Sequence, residues 1–250
     1  MSTLKNPFAP FDNALRLAFE ANLSAALAED IGSGDWTAQL IADTTEVTAA
    51  VVVREPAVLC GAPWFEGVMA QVDPRLTIEW RFAEGDLMPA DAEVCRIQGP
   101  ARSLMTAERA ALNFLQLLSA VATTTRDYVR LTEGTRAAIL DTRKTLPGLR
   151  LAQKYAVRVG GGKNQRLALY DGILIKENHI AAAGSITAAM SAARALNAGV
   201  GIQIEVENLE ELQQALQAGA ESILLDNFST AQMREAVQIT AGRAVLEASG

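Results

Sequence analysis

Two adjacent basic residues, Arg143 and Lys144, stand one residue beyond the short apolar run AAILD at residues 137–141. The window from 143 to 179 contains eight Lys or Arg and two acids, so its net charge is +6 although the whole chain carries -7. Arginine pairs with two oxygens of a carboxylate or phosphate at once, and lysine provides a point charge. The basic residues near strand ends and glycines therefore predict a site for a polyanionic ligand; they are Arg143, Lys144, Arg166 and Lys176.

Two acidic residues, Glu205 and Asp226, each stand at the end of a predicted strand, 21 positions apart. Two interpretations of them remain open. They could pair with the basic residues, or they could hold Mg²⁺ or stabilise positive charge that develops on a substrate. Cations for an anionic substrate beside carboxylates for an electrophilic carbon indicate transfer of a phosphorylated sugar. The glycine run at 160–162 could present backbone amides to an anion.

Other classes of chemistry have no matching pattern in the sequence. There is no P-loop, no serine elbow and no metal-binding pair of histidines, and we expect the only histidine, His179, to be structural. Cys60 and Cys95 have no metal-ligand or CxxC spacing and are predicted to be buried, reduced thiols. The acidic total argues against nucleic acid as a partner. No apolar run approaches the roughly 18 residues of a membrane span, so we expect a cytoplasmic protein that has no membrane partner.

The elements that must position these residues fall into two parts. Apolar spacing predicts a helix over 14–30 that Gly32 and Gly34 end, and alternating runs over about 46–100 predict a small, mostly antiparallel sheet. A long amphipathic helix is predicted over 105–131, with Thr106 as its N-cap. We assign residues 1–115 to an N-terminal domain and residues 116–250 to a second domain.

After residue 136, short apolar strands alternate with helices of about a dozen residues. This alternation predicts parallel strands joined by right-handed crossovers, and we favour an open α/β barrel over a doubly wound sheet because every strand ends in polar residues. The five predicted strands are AAILD, GILIK, IQIEVE, SILLD and RAVLE. Because an uncovered fifth strand would leave an exposed edge, we expect a partial barrel that lacks further βα units or is covered by another chain. Between the first two strands, Arg150, Lys154 and Arg158 have the spacing of a solvated helix face.

Several longer motifs resemble those of the quinolinate phosphoribosyltransferases: ERAALNFLQLLSAVAT, LDTRKTLPGLRLAQKYAVRVGGGKNQR, LYDGILIKENHI, IEVENLEEL and ILLDNF. The resemblance runs from DIGSGDWT at 30–37 to the last residue. It implies a type II phosphoribosyltransferase fold, with an N-terminal α/β sandwich domain followed by an incomplete parallel α/β barrel. It also implies a homodimer in which the N-terminal part of one subunit closes the active site of the other.

The family reaction joins quinolinate to phosphoribosyl pyrophosphate and releases pyrophosphate and CO₂, which gives nicotinate mononucleotide for NAD synthesis. By resemblance, three arginines bind the quinolinate carboxylates, one of them (Arg109) reaching in from the partner subunit. Lys144 and Lys176 serve quinolinate and the phosphoribosyl donor, Glu205 and Asp226 stand near the ribose and Mg²⁺, and Mg²⁺ travels on the pyrophosphate. The remaining residues expected at the substrates by resemblance are Thr142, Arg143, Gln165, Arg166, Ser249 and Gly250.

Two departures from the family pattern leave alternatives open. Gln165 replaces a histidine that lines the quinolinate pocket in the family motif, and glutamine cannot become cationic. Beyond Ser249 and Gly250 the family continues with strands that hold a phosphate, so we expect that site to be half present. One alternative is a catalytically impaired homologue that binds pyridine carboxylates or nucleotides. Another is a phosphoribosyltransferase with a different acceptor, such as nicotinate.

Overall fold

A computed structural model of the chain describes residues 3–250. The chain folds as two compact units, one that ends at Gln165 and one that comprises Arg166–Gly250. Among the described residues, no helix has the length and apolar character that crossing a membrane requires.

The N-terminal unit combines four helices with two small antiparallel sheets. The strands β1, β5 and β3 form one sheet in that order, and β2 pairs with β4 in the other. The predicted antiparallel sheet over 46–100 is therefore confirmed. In chain order the elements are α1 (Asn13–Ile31), a 3-10 helix (Ala38–Leu40), β1 (Glu46–Val52), β2 (Ala57–Val58), α2 (Ala62–Val72), β3 (Thr77–Trp80), β4 (Leu87–Met88), β5 (Glu93–Pro100), α3 (Ala101–Leu131) and α4 (Arg150–Val159).

The ends of the long helices test the predicted caps. The helix predicted over 14–30 is confirmed as α1, whose first turn is capped by the Asp12 side chain and which ends at Gly32, where φ is +52°. The N-cap predicted at Thr106 is wrong, because α3 already begins at Ala101. Thr106 instead lies within α3, where its hydroxyl donates to the Asp35 carboxylate at 2.9 Å.

An aromatic cluster forms part of the core of the N-terminal unit. Tyr155 of α4 packs edge-on against Phe11 with ring centroids 5.2 Å apart, and against Trp64 of α2 at 5.3 Å in a tilted arrangement. Phe8 and Phe19 complete the cluster. Because aromatic pairs in these arrangements contribute beyond their buried area, α4 is firmly attached to the N-terminal core.

The C-terminal unit is a four-stranded parallel sheet with the order β6-β7-β8-β9. The alternation of strands and helices predicted after residue 136 is confirmed from Gly172 onward, and its helices bury their apolar stripes beside the strands in one core. The elements are β6 (Gly172–Ile175), α5 (Glu177–Ala183), α6 (Ile186–Ala195), β7 (Gly201–Val206), α7 (Leu209–Gln217), β8 (Ser222–Asp226), α8 (Thr230–Thr240) and β9 (Val245–Ser249).

The first of the five predicted strands, AAILD, is wrong as a member of this sheet. Among the described residues it forms only a single parallel bridge, between Leu140 and Lys163 in the N-terminal unit. Ala137, Ala138 and Leu140 are exposed, so the apolar run lacks the burial of a central parallel strand. Its bonds go instead to Lys163, whose N–H donates to the Ile139 carbonyl at 2.9 Å.

Both cysteines are free and buried, as predicted. Burial raises the pKa of the Cys95 thiol to about 12 and raises that of Cys60 well above its ordinary value. Cys60 lies beside a buried carboxylate, Glu84, whose oxygens accept the Gly61 N–H at 2.7 Å and the Ala62 N–H at 3.1 Å at the start of α2. The Tyr155 hydroxyl donates to the same carboxylate at 3.0 Å. Burial nevertheless raises the pKa of Glu84 to about 7.

We predict that Glu84 makes the folded state less stable as the pH rises. The folded pKa of about 7 lies above the ordinary value of 4.5, so the folded state binds this proton more tightly than the unfolded state does. The stabilisation is complete below about pH 4.5 and is lost as the pH rises through 7. Between about pH 5 and about pH 8 the wild type should lose up to about 3 kcal/mol more stability than Glu84→Gln, measured by urea unfolding. Equal pH dependence in the two proteins would contradict the prediction.

Candidate active site

The loop from Asp141 to Thr145 carries the DTRKT motif in a tight turn. The Thr142 hydroxyl accepts the Lys144 N–H at 3.0 Å, and the Thr145 N–H donates to the Arg143 carbonyl at 3.0 Å. These local bonds satisfy the backbone of the turn and leave the Arg143 and Lys144 side chains without an ion pair among the described residues. Arg143 Nε is moreover buried and has no hydrogen-bond partner there. A buried guanidinium nitrogen of this kind requires a partner from water or from a ligand.

The Asp141 side chain collects donors from three other positions. Its carboxylate accepts bonds from Lys154 Nζ, from Asn164 Nδ2 and, at 2.9 Å, from the Gln165 N–H. Lys154 Nζ also donates to the Gln165 carbonyl at 3.1 Å. The side chains of Lys154 and Asp141 are only 2% and 6% exposed. The prediction that Lys154 lies on a solvated helix face is therefore wrong, because α4 is covered on the side of this loop as well as on the side of its core.

The glycine run at 160–162 does not present its amides to an anion. The N–H groups of Gly160, Gly161 and Gly162 donate to carbonyls of the last turn of α4, at 2.9, 3.0 and 2.9 Å. A Cβ on Gly160 would lie 2.4 Å from the Ala122 carbonyl oxygen of α3. Gly161 has a φ of +93°. The interpretation of this run as an anion site is wrong: the glycines let the end of α4 approach α3 and let the chain turn.

The other predicted site residues of this unit are Arg109 and Gln165. Arg109 is exposed on α3 and forms no ion pair among the described side chains. Gln165 is fixed through its backbone, since its N–H and its carbonyl are bound by Asp141 and Lys154.

In the C-terminal unit, Lys176 and Glu205 form an ion pair. Lys176 directly follows β6 and Glu205 lies in β7, and Lys176 Nζ is 3.0 Å from Glu205 Oε2. The hydrogen bond to Glu205 is the main cause that raises the pKa of Lys176, with smaller contributions from the charges of Glu205, Glu177 and Asp226. For Glu205, pairing with a basic residue is therefore observed. The single histidine has a structural contact here, because His179 Nδ1 accepts the Lys176 N–H at 3.0 Å.

Asp226 ends β8 beside the end of β9. Its carboxylate accepts the Ser249 hydroxyl at 3.1 Å and the Asn227 side-chain amide at 3.0 Å. The Asn227 N–H donates to the Ser249 carbonyl at 2.8 Å. A Cβ on Gly250 would lie 3.0 Å from Asn227 Oδ1, so the backbone approaches this side chain closely. Asp226 is thus a half-buried carboxylate that two polar neighbours hold at the ends of two adjacent strands.

Arg166 begins the C-terminal unit and is held by a turn. Its guanidinium donates to the Gly172 carbonyl at 3.1 Å, where β6 begins. The Asp171 carboxylate accepts the N–H groups of Leu167 at 2.7 Å and Ala168 at 2.8 Å.

The predicted site residues therefore form two groups, one in each unit. Within the C-terminal unit, the ends of β6, β7, β8 and β9 bring together Lys176, Glu205, Asp226 and Ser249.

A resident metal site is not built into the described part of the chain, in which no group of three or more His, Cys, Asp or Glu is arranged to hold an ion. A cavity of about 190 Å³ beside Glu205 is lined by further carboxylates. Mg²⁺ commonly keeps several waters and takes one or two carboxylates together with substrate phosphates. Glu205 and Asp226 fit an ion that arrives with a phosphorylated substrate better than one held by protein alone.

Comparison with known proteins decides the family. The sequence model described as quinolinate phosphoribosyl transferase, N-terminal domain, matches residues 35–119, and the model of the C-terminal domain matches residues 121–250. The chain belongs to the quinolinate phosphoribosyltransferase family. The Mycobacterium leprae nicotinate-nucleotide pyrophosphorylase (carboxylating) is 44% identical over 232 residues, which are 90% of this chain and 82% of that protein.

Solved structures of related proteins share the fold. The nicotinate-nucleotide pyrophosphorylase of Francisella tularensis is 44% identical, with a TM-score of 0.89 over 96% of this chain and 85% of that one. NadC from Streptococcus pyogenes is 39% identical, with a TM-score of 0.90 over 97% and 86% of the two chains. The predicted fold class of the quinolinate phosphoribosyltransferases, an N-terminal α/β domain and an open parallel α/β part, is confirmed. The boundary predicted at residue 115 stays a prediction; it lies within α3.

Sequence reasoning missed the group formed by Asp141, Lys154 and Asn164. Lys154 has helical spacing with Arg150 and Arg158, which suggested a solvated face. Spacing along one helix does not reveal which of its faces a neighbouring loop will cover. One signal was available. Asp141 and Asn164 are polar residues within the two motifs that carry the predicted substrate-binding residues, and neither of them is itself a predicted substrate-binding residue.

We predict that Gly160→Ala destabilises the protein. The added Cβ would meet the Ala122 carbonyl at 2.4 Å and Thr125 Cβ at 2.7 Å, so α4 must move away from α3. Overpacking of this kind costs about 1–3 kcal/mol, which thermal unfolding would detect. Gly201→Ala is the matched control, because no atom lies within 4 Å of its new Cβ. If the two variants melted at the same temperature, the close-packing role of Gly160 would be refuted.

Proposed function

We propose that this protein transfers the phosphoribosyl group of phosphoribosyl pyrophosphate to the ring nitrogen of quinolinate. The bond from C1 of the ribose to pyrophosphate breaks, and a bond from C1 to the nitrogen forms. CO₂ then leaves the 2-position, a proton from solvent binds to that carbon, and nicotinate mononucleotide is formed. Membership of the quinolinate phosphoribosyltransferase family and the names of relatives across both halves of the chain support this activity.

The observation that carries the proposal is the state of Arg143. Its buried Nε has no partner among the described residues, although a buried donor without a bond is costly. A carboxylate of quinolinate would supply that bond as a charge-assisted one. Arg166, Arg109 and Lys144 carry further positive charge for the second carboxylate, which suits a dicarboxylic acceptor.

The residues of the C-terminal unit suit the phosphoribosyl donor. Lys176 is 46% exposed and keeps donors beyond the one that binds Glu205, so it can bind an oxygen of the donor while the ion pair persists. Its raised pKa keeps it protonated at neutral pH. The carboxylates of Glu205 and Asp226 would stabilise positive charge that develops on the ribose as pyrophosphate leaves. Ser249 and Gly250, at the end of β9, are proposed to contact the donor.

Loss of CO₂ needs no base from the protein. Once the ring nitrogen carries the ribosyl group it is positively charged, and it stabilises the electron pair that the departing CO₂ leaves on the adjacent ring carbon. A proton from solvent then binds to that carbon. The part of this chain in that step is to hold the substrate. Arg143 and Arg166 would fix the orientation of the ring. Thr142 and Gln165 belong to the same two sequence motifs and are proposed to contact the same substrate.

Mg²⁺ is proposed as the cofactor, with Glu205 and Asp226 as the residues that would hold it together with substrate oxygens. When bound, the ion would neutralise the pyrophosphate and improve it as a leaving group. A homodimer in which Arg109 enters the partner's site is also proposed, and the exposed position of Arg109 on α3 supports it. A cytoplasmic location stays a prediction.

A different acceptor is the second candidate, because Gln165 stands where the family motif has histidine. Glutamine can donate a hydrogen bond but cannot add a positive charge. Incubation with phosphoribosyl pyrophosphate, Mg²⁺ and either quinolinate or nicotinate distinguishes the two candidates. Nicotinate mononucleotide formed from quinolinate with release of CO₂ supports the proposed reaction, and product from nicotinate alone would overturn it. Binding of quinolinate without release of pyrophosphate would indicate an impaired homologue.

We predict that Arg143→Ala abolishes detectable turnover and leaves the fold intact. The side chain is expected to bind a substrate carboxylate, and it forms no ion pair among the described residues that the fold would lose. The measurement is pyrophosphate release, together with circular dichroism to verify folding. Arg54→Ala is the control, since Arg54 is an exposed residue with a long 3.5 Å contact to Asp91. Near-normal turnover in Arg143→Ala would refute the site.

We also predict that removal of Mg²⁺ stops the reaction without unfolding the protein. Among residues 3–250, no group of three or more His, Cys, Asp or Glu is arranged to hold an ion, so we expect the fold not to depend on one. Dialysis against a chelator should abolish product formation and leave the melting temperature unchanged, and added Mg²⁺ should restore activity. Full activity in the presence of chelator would rule out the cofactor.

A further inference from the structure

A largely buried polar group adjoins the motifs of the predicted quinolinate site, and the reaction gives it no part. It consists of Asp141, Lys154 and Asn164, which we name the clamp. We propose that the clamp positions Arg143 and Gln165 for quinolinate. The proposal rests on the proposed function, because it concerns the acceptor of that reaction. None of the three residues is assigned a contact with substrate, so they are positioning residues and not catalytic ones.

The burial of the clamp argues against a role in stability alone. The side chains of Lys154 and Asp141 are 2% and 6% exposed, and burying two opposite charges recovers little free energy compared with apolar side chains of similar size. Such a pair is well suited to fixing one geometry. Asp141 accepts three donors and Lys154 donates to two oxygens, so each group has one preferred place.

The clamp joins two segments that are distant in sequence. Asp141 opens the DTRKT turn, two residues before Arg143, and Asn164 immediately precedes Gln165. Gln165 is held at both backbone polar groups, its N–H by Asp141 and its carbonyl by Lys154. Asn164 also donates to the Lys154 carbonyl at 2.9 Å, which ties the segment to α4. A displacement of the clamp therefore moves Arg143 and Gln165 relative to each other.

The burial of Arg143 Nε depends on the same arrangement. This nitrogen has no partner among the described residues, and the turn that carries it is bonded within itself by Thr142, Lys144 and Thr145. The local bonds shape the turn, but they do not attach it to the rest of the unit. The bridge of Leu140 to Lys163 and the side chain of Asp141 provide that attachment at the start of the turn. At its end, the Thr145 hydroxyl accepts a hydrogen bond from Arg150 Nε of α4 at 3.2 Å. If the hydrogen bonds of the clamp were lost, the Arg143 guanidinium could move away from the position in which it is proposed to bind a carboxylate.

The test uses the purified full chain and four variants. Lys154→Met leaves the Asp141 carboxylate buried without its cation, and Asp141→Asn combined with Lys154→Met removes both charges. Asn164→Ala deletes the outer link at an exposed residue and should fold even if the buried variants do not. Arg158→Met is the matched control, because it removes one positive charge from the exposed face of α4, one turn after Lys154. The KM of each substrate, kcat and the melting temperature are measured.

Loss of the clamp should raise the KM for quinolinate more than tenfold in both Lys154 variants and more than threefold in Asn164→Ala. The KM for phosphoribosyl pyrophosphate should change less than threefold. The residues proposed to bind that substrate, Lys176, Glu205 and Asp226, lie in or directly after strands of the parallel sheet and do not belong to the clamp. Arg158→Met should match the wild type in both. Lower melting temperatures with unchanged KM values would overturn the proposal, as would equal rises in both KM values. Absence of turnover in the wild type would instead refute the proposed function.

Discussion

The buried ion pair of Lys154 with Asp141 is the interaction on which the arrangement of the N-terminal unit's site depends. Lys154 and Tyr155 are consecutive residues of α4, and their side chains contact different parts of the N-terminal unit. Tyr155 packs in the aromatic cluster and donates to Glu84, which in turn binds the start of α2. Lys154 holds the DTRKT turn and Gln165. Because α4 is fixed in the core through Tyr155, its Lys154 can hold in place the loops that carry the predicted substrate-binding residues.

The position of α4 follows from the glycines that come after it. Gly160 and Gly162 approach α3 so closely that a Cβ on either would lie under 3 Å from Thr125. The three glycine N–H groups cap the last turn of α4, and the left-handed Gly161 sends the chain back toward Lys163 and Asn164. A motif that looks like an anion-binding loop therefore acts through backbone geometry: it returns the chain to the point where Asn164 and Gln165 reach Asp141.

Local patterns predicted the parts of this fold that local physics decides. Short apolar runs between helical segments indicated the four strands from Gly172 to Ser249, and apolar spacing indicated α1. Three expectations failed where tertiary contacts override local pattern. Residues 137–141 have the composition of a strand but are largely exposed, Thr106 bonds to Asp35 and starts no helix, and Lys154 is covered by a loop. Spacing in one element does not report which neighbour will cover it.

The two units handle charge in opposite ways, and the difference fits the two substrates. Arg143 Nε is buried without a partner among residues 3–250, so a carboxylate proposed to bind there would displace no existing ion pair of those residues. Lys176 already holds Glu205, so an oxygen of the donor that binds to it must share the lysine with a carboxylate. Under the proposed function, that sharing would weaken ground-state binding but would keep negative charge where the ribose becomes positive. Because only interactions that strengthen in the transition state accelerate a reaction, an acid kept in place by Lys176 would contribute to rate, while Arg143 would contribute to acceptor binding.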